Sequence, residues 1–251
     1  MHFVEAYTDD QQRLIFAGAK ILLLLLTAAS VHRSLSPPNP SVKSEECCSG
    51  TAGTDTLFER VVQSITYCSK CMVWLGAVCD IACIIGRLFL LPAWTNGFGW
   101  IGHVTEDARE HIPTMMLIGA TLATFAAGLR IWCFNALGPF FTFEITIRPK
   151  HRLITHGPYA WVRHPSYTGV YLTLAGATLV LAAPGSWTAA CAVRTIPGAL
   201  AVLFWAAKCT FAFRGMVVRL RAEDAVLRDT FGAQWEDYAA RVPNKFVPGL
   251  L

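Results

Sequence analysis

Long apolar segments are the feature that most restricts the fold of this chain. Residues 14–31 contain the run ILLLLLTAA, and similar segments cover residues 67–90 and 114–134. Their lengths match the roughly 20 residues that a helix needs to cross the apolar part of a bilayer. Only 15% of the 251 residues are charged, against about 25% in soluble domains. The sequence therefore predicts an integral membrane protein.

A further apolar stretch, residues 168–213, is interrupted by the turn sequence Ala-Pro-Gly-Ser at 183–186. We interpret it as a transmembrane hairpin that forms a fourth and a fifth span. The predicted fold is an all-α, multi-pass transmembrane helical bundle of about five spans. We expect two regions, residues 1–140 with three spans and residues 141–251 with the hairpin and polar segments.

Several residues inside the predicted spans carry further expectations. Asp80 and Arg87 are seven apart, about two helical turns, so we expect them to share a face and to point toward other helices. Arg130 lies near the end of its span, from which we expect it to reach an interface. Small residues such as Gly119 and Ala123 predict close helix packing in the same span.

The polar stretch between the apolar regions, residues 151–169, reads HRLITHGPYAWVRHPSYTG. Pro165 disfavours helix at His164, and Gly157 begins another turn with the proline after it. We expect this stretch to leave the bilayer and to fold over an anionic or zwitterionic cofactor at the membrane face. Its aromatic residues would form either a wall of that pocket or an interfacial belt. They are Tyr159, Trp161 and Tyr167.

Residues 214–240 follow the last span with charges between apolar positions. This pattern predicts an amphipathic helix that is broken near Gly232 and followed by a second short helix. Arg219 and Glu223 are four apart and share a face, either as an ordinary ion pair or as part of a site. Earlier in the chain, FTFEITI at 141–147 alternates as a short extended segment does.

The basic residues indicate topology. Residues 148–163 contain four Lys or Arg and the tail from 214 contains six, whereas residues 92–113 contain one. The positive-inside rule places the first two segments in the cytosol. With five spans, the N-terminus lies across the membrane. The basic residues form no run of the kind that binds nucleic acid, so we expect no nucleic-acid partner.

Two groups of residues were weighed as modified or metal-binding sites. One consists of His103, Glu106, Glu110 and His111. Its spacing matches no recognised zinc motif, so we predict no metal. The other is the cysteine pair at 47–48, acylated if it faces the cytosol or otherwise unmodified.

Two separated motifs suggest a family. The string GPYAWVRHPSYTG is followed by an apolar hairpin and then by R-x-R-x-E-D-x-x-L-x-x-x-F-G-x-x-W-x-x-Y-x-x-R-V-P. Over about residues 144–248 the chain resembles the isoprenylcysteine carboxyl methyltransferase family. The resemblance implies S-adenosylmethionine-dependent methyl esterification of the C-terminal carboxylate of prenylated cysteine in CaaX-processed proteins. It also implies partners, namely prenylated protein C-termini and the lipid bilayer.

The resemblance implies roles for individual residues. Arg219 would face the substrate carboxylate, and His164 would orient the cofactor or the loop. The resemblance also implies a cytosolic cofactor-binding cap, made of the loop after the third span and the C-terminal helices, and a location in the endoplasmic reticulum. Glu223-Asp224 departs from relatives that show repeated glutamates there. The implied cofactor-binding residues are Glu144, His151, Arg152, Leu153, Ile154, Tyr159, His164, Pro165, Ser166, Tyr167 and Glu223.

Two alternatives stay open at this point. One is a related membrane methyltransferase with another lipid-like acceptor, such as an amine phospholipid, for which a base and the pH would matter more. The other is a non-catalytic membrane scaffold that keeps the fold and binds no cofactor.

Overall fold

The computed structural model describes residues 2–40, 56–89, 111–147 and 150–246. Helices dominate these ranges, and no strand occurs in them. The α-helices are α1 (His2–Ser34), α2 (Leu57–Phe89), α3 (Thr114–Leu137), α4 (Pro165–Leu181), α5 (Trp187–Ala190), α6 (Ile196–Phe231) and α7 (Ala233–Arg241). Short 3-10 helices lie at Gly138–Phe140, Gly157–Ala160 and Ala192–Arg194.

Within the described ranges, four helices are long and apolar enough to cross a membrane. They cover Gln11–Ser34, Leu57–Phe89, Thr114–Phe140 and Ile196–Phe231. This confirms the predicted all-α, multi-pass membrane fold. The predicted fourth span corresponds to α4, whose 17 residues fall short of the usual length of about 20. A fifth span therefore stays a prediction, as does the division of the chain at residue 140.

The chain divides into two compact units, the first made of the described parts of Met1–Val31, Ser69–Thr124 and Thr173–Ala206. Within it, α3 and α4 meet backbone to backbone. A Cβ at Gly176 would lie 2.6 Å from the carbonyl oxygen of Gly119, so neither position has room for a side chain. The close packing predicted from small residues is confirmed. Asp80 is buried, as expected, and accepts a hydrogen bond from the backbone N–H of Trp187.

The second unit comprises the described parts of His32–Cys68, Phe125–Leu172 and Ala207–Leu251, and it holds the polar central stretch. The long helix α6 ends where predicted, because Gly232 adopts a positive φ of 53°. The N–H of Gly232 donates to the carbonyl of Arg228 at 2.8 Å, which closes the last turn. The second short helix, α7, follows at once.

Arg130 is the position where the sequence-based expectation was wrong. Its side chain does not reach an interface but is buried at 2% exposure. Its Nε donates to the carbonyl of Ser34 at 2.9 Å, and its NH1 donates to the hydroxyl of Ser166. Three phenylalanine rings surround the guanidinium, with centroids at 4.8 to 5.6 Å from its carbon. These partners replace water around the charge, so burial is tolerated.

Residues 141–145 keep the alternation predicted for segment 141–147 and join no sheet within the described ranges, whereas Thr146 departs from it because it is buried. Phe141, Phe143 and Ile145 are buried, while Thr142 and Glu144 between them are partly exposed. Ile145 packs against two buried residues of α6 at positions 222 and 226. The segment therefore presents Glu144 on its polar side.

Candidate active site

The motif Arg163-His164-Pro165 is held by the C-terminal tail. The N–H of Arg163 donates to the carbonyl of Asn244 at 3.0 Å, and the N–H of His164 donates to that of Lys245 at 2.9 Å. Pro165 is the first residue of α4, a position where its missing N–H costs nothing. The imidazole of His164 is thereby fixed at the start of the helix, 4% exposed.

Asp224 on α6 gathers three cationic or donor groups around one carboxylate. His164 Nε2 donates to its Oδ1 at 2.9 Å. Its Oδ2 lies 3.6 Å from Arg163 NH2 and 3.6 Å from Lys245 Nζ. The Asp224 side chain is 12% exposed. Bonds of this kind are stronger than neutral ones, so they fix the orientation of the ring.

Glu223, the neighbouring residue, connects the imidazole to Tyr167. The Tyr167 hydroxyl donates to Glu223 Oε2, and the same oxygen lies 3.9 Å from His164 Nδ1. The rings of His164 and Tyr167 are nearly parallel, with centroids 5.5 Å apart. The Glu223 side chain is 33% exposed. This carboxylate is therefore held in place and still open to a ligand.

Arg219 lies one turn before Glu223 and is buried. Its ion pair is with Glu59 of α2, NH1 to Oε2 at 3.3 Å, where the sequence spacing offered Glu223 as the partner. Its guanidinium carbon lies 5.8 Å from the centroid of the Tyr167 ring. Its Nε–H donates to no atom of the residues that the structure describes. A donor therefore remains for a further acceptor.

Glu144 is anchored from the same helix as Glu59. Gln63 Nε2 donates to Glu144 Oε1 at 2.7 Å, and the Thr142 hydroxyl donates to the Glu144 carbonyl at 2.7 Å. The second carboxylate oxygen, Oε2, is buried and has no hydrogen-bond partner within the described ranges. A buried carboxylate oxygen without a donor suits a ligand that carries one.

Tyr159 is buried, and its backbone is hydrogen-bonded to a side chain of α7. The Tyr238 hydroxyl donates to the Tyr159 carbonyl at 2.8 Å. Burial raises the pKa of Tyr159 well above its ordinary value, and nearby Cys133 and Glu223 add to the rise. The phenol is therefore neutral at physiological pH, and its place in a cofactor pocket stays a prediction.

The remaining predicted cofactor-binding residues lie at other positions of the central stretch and at the start of α4. The ring of His151 packs between those of Phe140, at 4.7 Å, and Phe231, at 5.9 Å. Arg152 is exposed, while Leu153 and Ile154 are partly buried. Their contact with a cofactor stays a prediction. Pro165 is buried, and the Ser166 hydroxyl is bound by Arg130.

The three aromatic residues of the stretch differ in exposure. Tyr159 is buried and Tyr167 is largely enclosed, whereas Trp161 is 67% exposed. Their use as a pocket wall or as an interfacial belt stays a prediction.

Sequence reasoning missed Glu59, Gln63 and Lys245. Thr56 and Glu59 have the T-x-x-E spacing of a capping box, and the N–H of Glu59 does donate to the Thr56 hydroxyl at 3.4 Å. That signal predicts the start of α2, which lies before the expected span at residue 67. It does not predict that the carboxylate turns to Arg219.

Most residues of the two groups weighed as metal or modification sites lie outside the described ranges. No group of three or more His, Cys, Asp or Glu suited to a metal occurs in the part of the chain that the structure describes. His103, Glu106, Glu110, Cys47 and Cys48 lie outside that part.

Comparison with known proteins identifies the segment that carries the cluster. The sequence profile of the isoprenylcysteine carboxyl methyltransferase family matches residues 117–228. The chain is 32% identical over 128 residues to protein-S-isoprenylcysteine O-methyltransferase B of Arabidopsis thaliana, covering 50% of this chain and 56% of the relative. It is 33% identical over 159 residues to the Mus musculus protein-S-isoprenylcysteine O-methyltransferase, covering 60% and 50%.

A probable protein-S-isoprenylcysteine O-methyltransferase of Oryza sativa subsp. indica is 28% identical over 152 residues, covering 58% of this chain and 70% of the relative. The matches thus span about half to two thirds of the relatives' lengths. The matched residues include His164, Tyr167, Arg219, Glu223 and Asp224. Over this segment, the chain is similar to the isoprenylcysteine carboxyl methyltransferase family.

Proposed function

We propose that the protein methylates the C-terminal carboxylate of prenylated cysteine with S-adenosylmethionine as the donor. The observation that carries the proposal is Arg219, a buried guanidinium beside Glu223 and Tyr167 whose Nε–H has no acceptor among the residues that the structure describes. A guanidinium in this setting suits a carboxylate, because it offers two parallel charge-assisted hydrogen bonds. The names of the relatives support this acceptor.

The residues of the cluster fit the proposed donor molecule. S-adenosylmethionine carries an amine and a sulfonium, both cationic, together with a carboxylate and ribose hydroxyls. Glu223 is accessible to a cation or a hydroxyl, and Glu144 Oε2 has no donor within the described part of the chain. The buried Nε of Arg163 has no acceptor among the described residues and suits a carboxylate. When bound, the cofactor would supply an electrophilic methyl group.

The proposed reaction needs alignment but no proton transfer. A carboxylate oxygen forms a bond to the methyl carbon while the bond from that carbon to sulfur breaks, and its electron pair stays on sulfur. The products are a neutral ester and a neutral thioether. Because an α-carboxyl group has a pKa of about 3.5, the nucleophile is already ionised at neutral pH. Catalysis then rests on orientation and on exclusion of water.

His164 serves orientation in this scheme. Its Nε2–H is committed to Asp224, and its ring stacks on Tyr167, which in turn holds Glu223. A role as general base is not required. The imidazole therefore fixes the carboxylate that would bind the cofactor.

The membrane setting suits one apolar and one polar substrate. The prenyl chain would reach the site laterally from the bilayer, and the cofactor would arrive from the cytosol. We place the enzyme in the endoplasmic reticulum membrane with the site facing the cytosol, in line with the family and with the basic central and C-terminal segments.

Replacement of Arg219 by Ala tests the proposal, because it removes the group assigned to the acceptor but not those assigned to the cofactor. Ester formation should fall roughly 100-fold or more, because the carboxylate loses the group that aligns it with the methyl donor. Binding of S-adenosylmethionine, measured by calorimetry in detergent, should remain within about threefold.

The matched control is Arg228→Ala on the same helix, whose side chain is 57% exposed and pairs with Glu236. It should leave both quantities unchanged. Equal loss of ester formation and cofactor binding in Arg219→Ala would contradict the assignment.

A further inference from the structure

We propose that Glu59 is a positioning residue that shares the Arg219 guanidinium with the substrate carboxylate and so weakens the hold on that carboxylate. The inference rests on the proposed function and adds a residue to it. Glu59 lies outside the segment matched by the family profile, residues 117–228. It comes from the first turn of α2.

The contact between the two side chains is direct and enclosed. Glu59 Oε2 lies 3.3 Å from Arg219 NH1, and the side chains are 11% and 8% exposed. A buried guanidinium needs a counter-charge, because its removal from water is costly. Glu59 supplies one through a single oxygen and leaves the Nε–H of Arg219 without a partner in the described ranges. The pair therefore neutralises the charge without occupying the whole guanidinium.

The packing around Gly215 brings Glu59 to this place. Gly215 lies one turn before Arg219 on α6, and a Cβ at this position would overlap the ring of Phe58. That ring also packs against Phe211 at a centroid distance of 6.0 Å. Because Gly215 has no side chain, the ring of Phe58 fits against α6 at this position. The start of α2, including Glu59, therefore packs on the face of α6 that carries Arg219.

The carboxylate of Glu59 does not cap its own helix. In a capping box the N3 glutamate returns to the N–H of the N-cap residue. Here the Thr56 hydroxyl accepts from the Glu59 N–H at 3.4 Å, which is one half of that motif. The Glu59 side chain instead reaches Arg219, and its Oε1 is buried without a hydrogen-bond partner among the described residues. Helix capping therefore does not account for its position.

Charge explains why such a partner would help the reaction. Methyl transfer consumes the negative charge of the acceptor, so a full positive charge beside it stabilises the substrate more than the transition state. A guanidinium already shared with Glu59 orients the carboxylate and withdraws less of its charge. Loss of Glu59 should therefore tighten binding of the acid and slow the chemical step, the pattern in which kcat and KM fall together.

The test is Glu59→Gln, which keeps the shape of the side chain and removes its charge. Thermal shift would follow binding of N-acetyl-S-farnesylcysteine and of its carboxamide, which has the same prenyl group and no charge. The acid should bind about tenfold more tightly to the variant, the effect of one charge at several ångströms in protein. Affinity for the carboxamide should not change. In turnover assays kcat should fall, and Glu59→Asp should restore it in part.

Glu236→Gln is the matched control, since it makes the same change in a pair that is 56% exposed on the Glu236 side. Weaker or unchanged binding of the acid to Glu59→Gln would overturn the inference, as would tighter binding with an unaltered kcat. Thermal shift needs no turnover, so the outcomes remain separable. Wild-type protein that binds the acid but forms no ester would overturn the proposed function, and the Glu59→Gln binding result would still decide the role of Glu59.

Discussion

Asp224 shows how one residue can organise the polar cluster. Its two oxygens meet His164 Nε2, Arg163 NH2 and Lys245 Nζ. The ring of His164, held on one side by Asp224, presents Nδ1 toward Glu223 at 3.9 Å. The orientation of the group assigned to the cofactor thus depends on a neighbour that needs no contact with the cofactor itself.

The change Asp224→Asn should separate this role from catalysis. The amide keeps the shape but leaves Arg163 and His164 without their counter-charge, so the thermal midpoint should fall by several degrees. Loss of one partner from an enclosed ion pair typically costs about 3 kcal/mol. Cofactor affinity should fall about tenfold as Glu223 loses its fixed neighbour.

The control for this change is Asp229→Asn, at an exposed position farther along the same helix. It should alter neither the midpoint nor the affinity for S-adenosylmethionine. An Asp224→Asn protein with wild-type affinity would contradict the positioning role.

At the residue scale, the sequence predicted contacts only between residues that lie close together in the chain. Arg219 and Glu223 share a helix face by spacing alone, and His164 and Tyr167 lie in one motif. The structure brings these four residues together. The pairing of Arg219 with Glu59 was out of reach, because nothing in the local spacing of either residue records a contact across 160 positions. Arg130 was misplaced for a similar reason, since its partners come from three separate segments.

At the scale of elements, α7 and the tail after it hold the central stretch. The Tyr238 hydroxyl binds the carbonyl of Tyr159, and the tail carbonyls at 244 and 245 bind the loop backbone. The Thr168 hydroxyl adds a bond to the carbonyl of Phe246 at 2.7 Å. The C-terminal elements therefore form part of the site through backbone and hydroxyl contacts, and they add the charged Lys245 beside Asp224.

The hydrogen bond of Tyr238 predicts a change of stability at alkaline pH. Burial raises the pKa of Tyr238, and Arg163 opposes the rise only in part. Because the folded pKa exceeds the unfolded value of about 10, the contribution is complete below pH 10 and is lost as the pH rises toward the folded pKa. The thermal midpoint should therefore fall above pH 10.

Tyr238→Phe should lower stability by about 1 kcal/mol at neutral pH, the net worth of one hydrogen bond. It should also make the alkaline fall of the midpoint shallower. Tyr67→Phe, at a position that is 66% exposed, serves as the control and should change neither. A Tyr238→Phe protein with the wild-type pH dependence would show that this hydroxyl is not the titrating group.

Sequence patterns predicted the presence of the helices better than the residues at which they begin and end. The break at Gly232 was predictable because glycine adopts the positive φ at this helix end without steric cost. Helix α2 starts at Leu57, before the span expected from residue 67. Its first turns are partly polar, so the length of the apolar run does not predict them as part of the helix. The extended alternation of 141–147 was predicted, while its packing against α6 required the fold.

At the scale of the whole molecule, the site draws on more of the chain than the family match covers. The profile spans residues 117–228, yet Glu59 and Gln63 come from α2 and Lys245 from the tail. Apolar run length predicted the membrane class, because the bilayer limits the fold to few solutions. It carried no information on which polar residues meet. The motifs predicted functional residues in the second half of the chain. The contacts of α2 add Glu59 and Gln63 from the first half.

The most direct test of the account is the chemical nature of the methylated acceptor. Membranes that contain this protein would be given radiolabelled S-adenosylmethionine with N-acetyl-S-farnesylcysteine or with an amine phospholipid, and base-labile label would be measured from pH 6 to 8. We predict base-labile ester on the prenylcysteine alone, at a rate that changes little with pH, because the carboxylate is ionised throughout. Base-stable label on the phospholipid, rising with pH as its amine loses a proton, would contradict the account, as would bound cofactor without label on either acceptor.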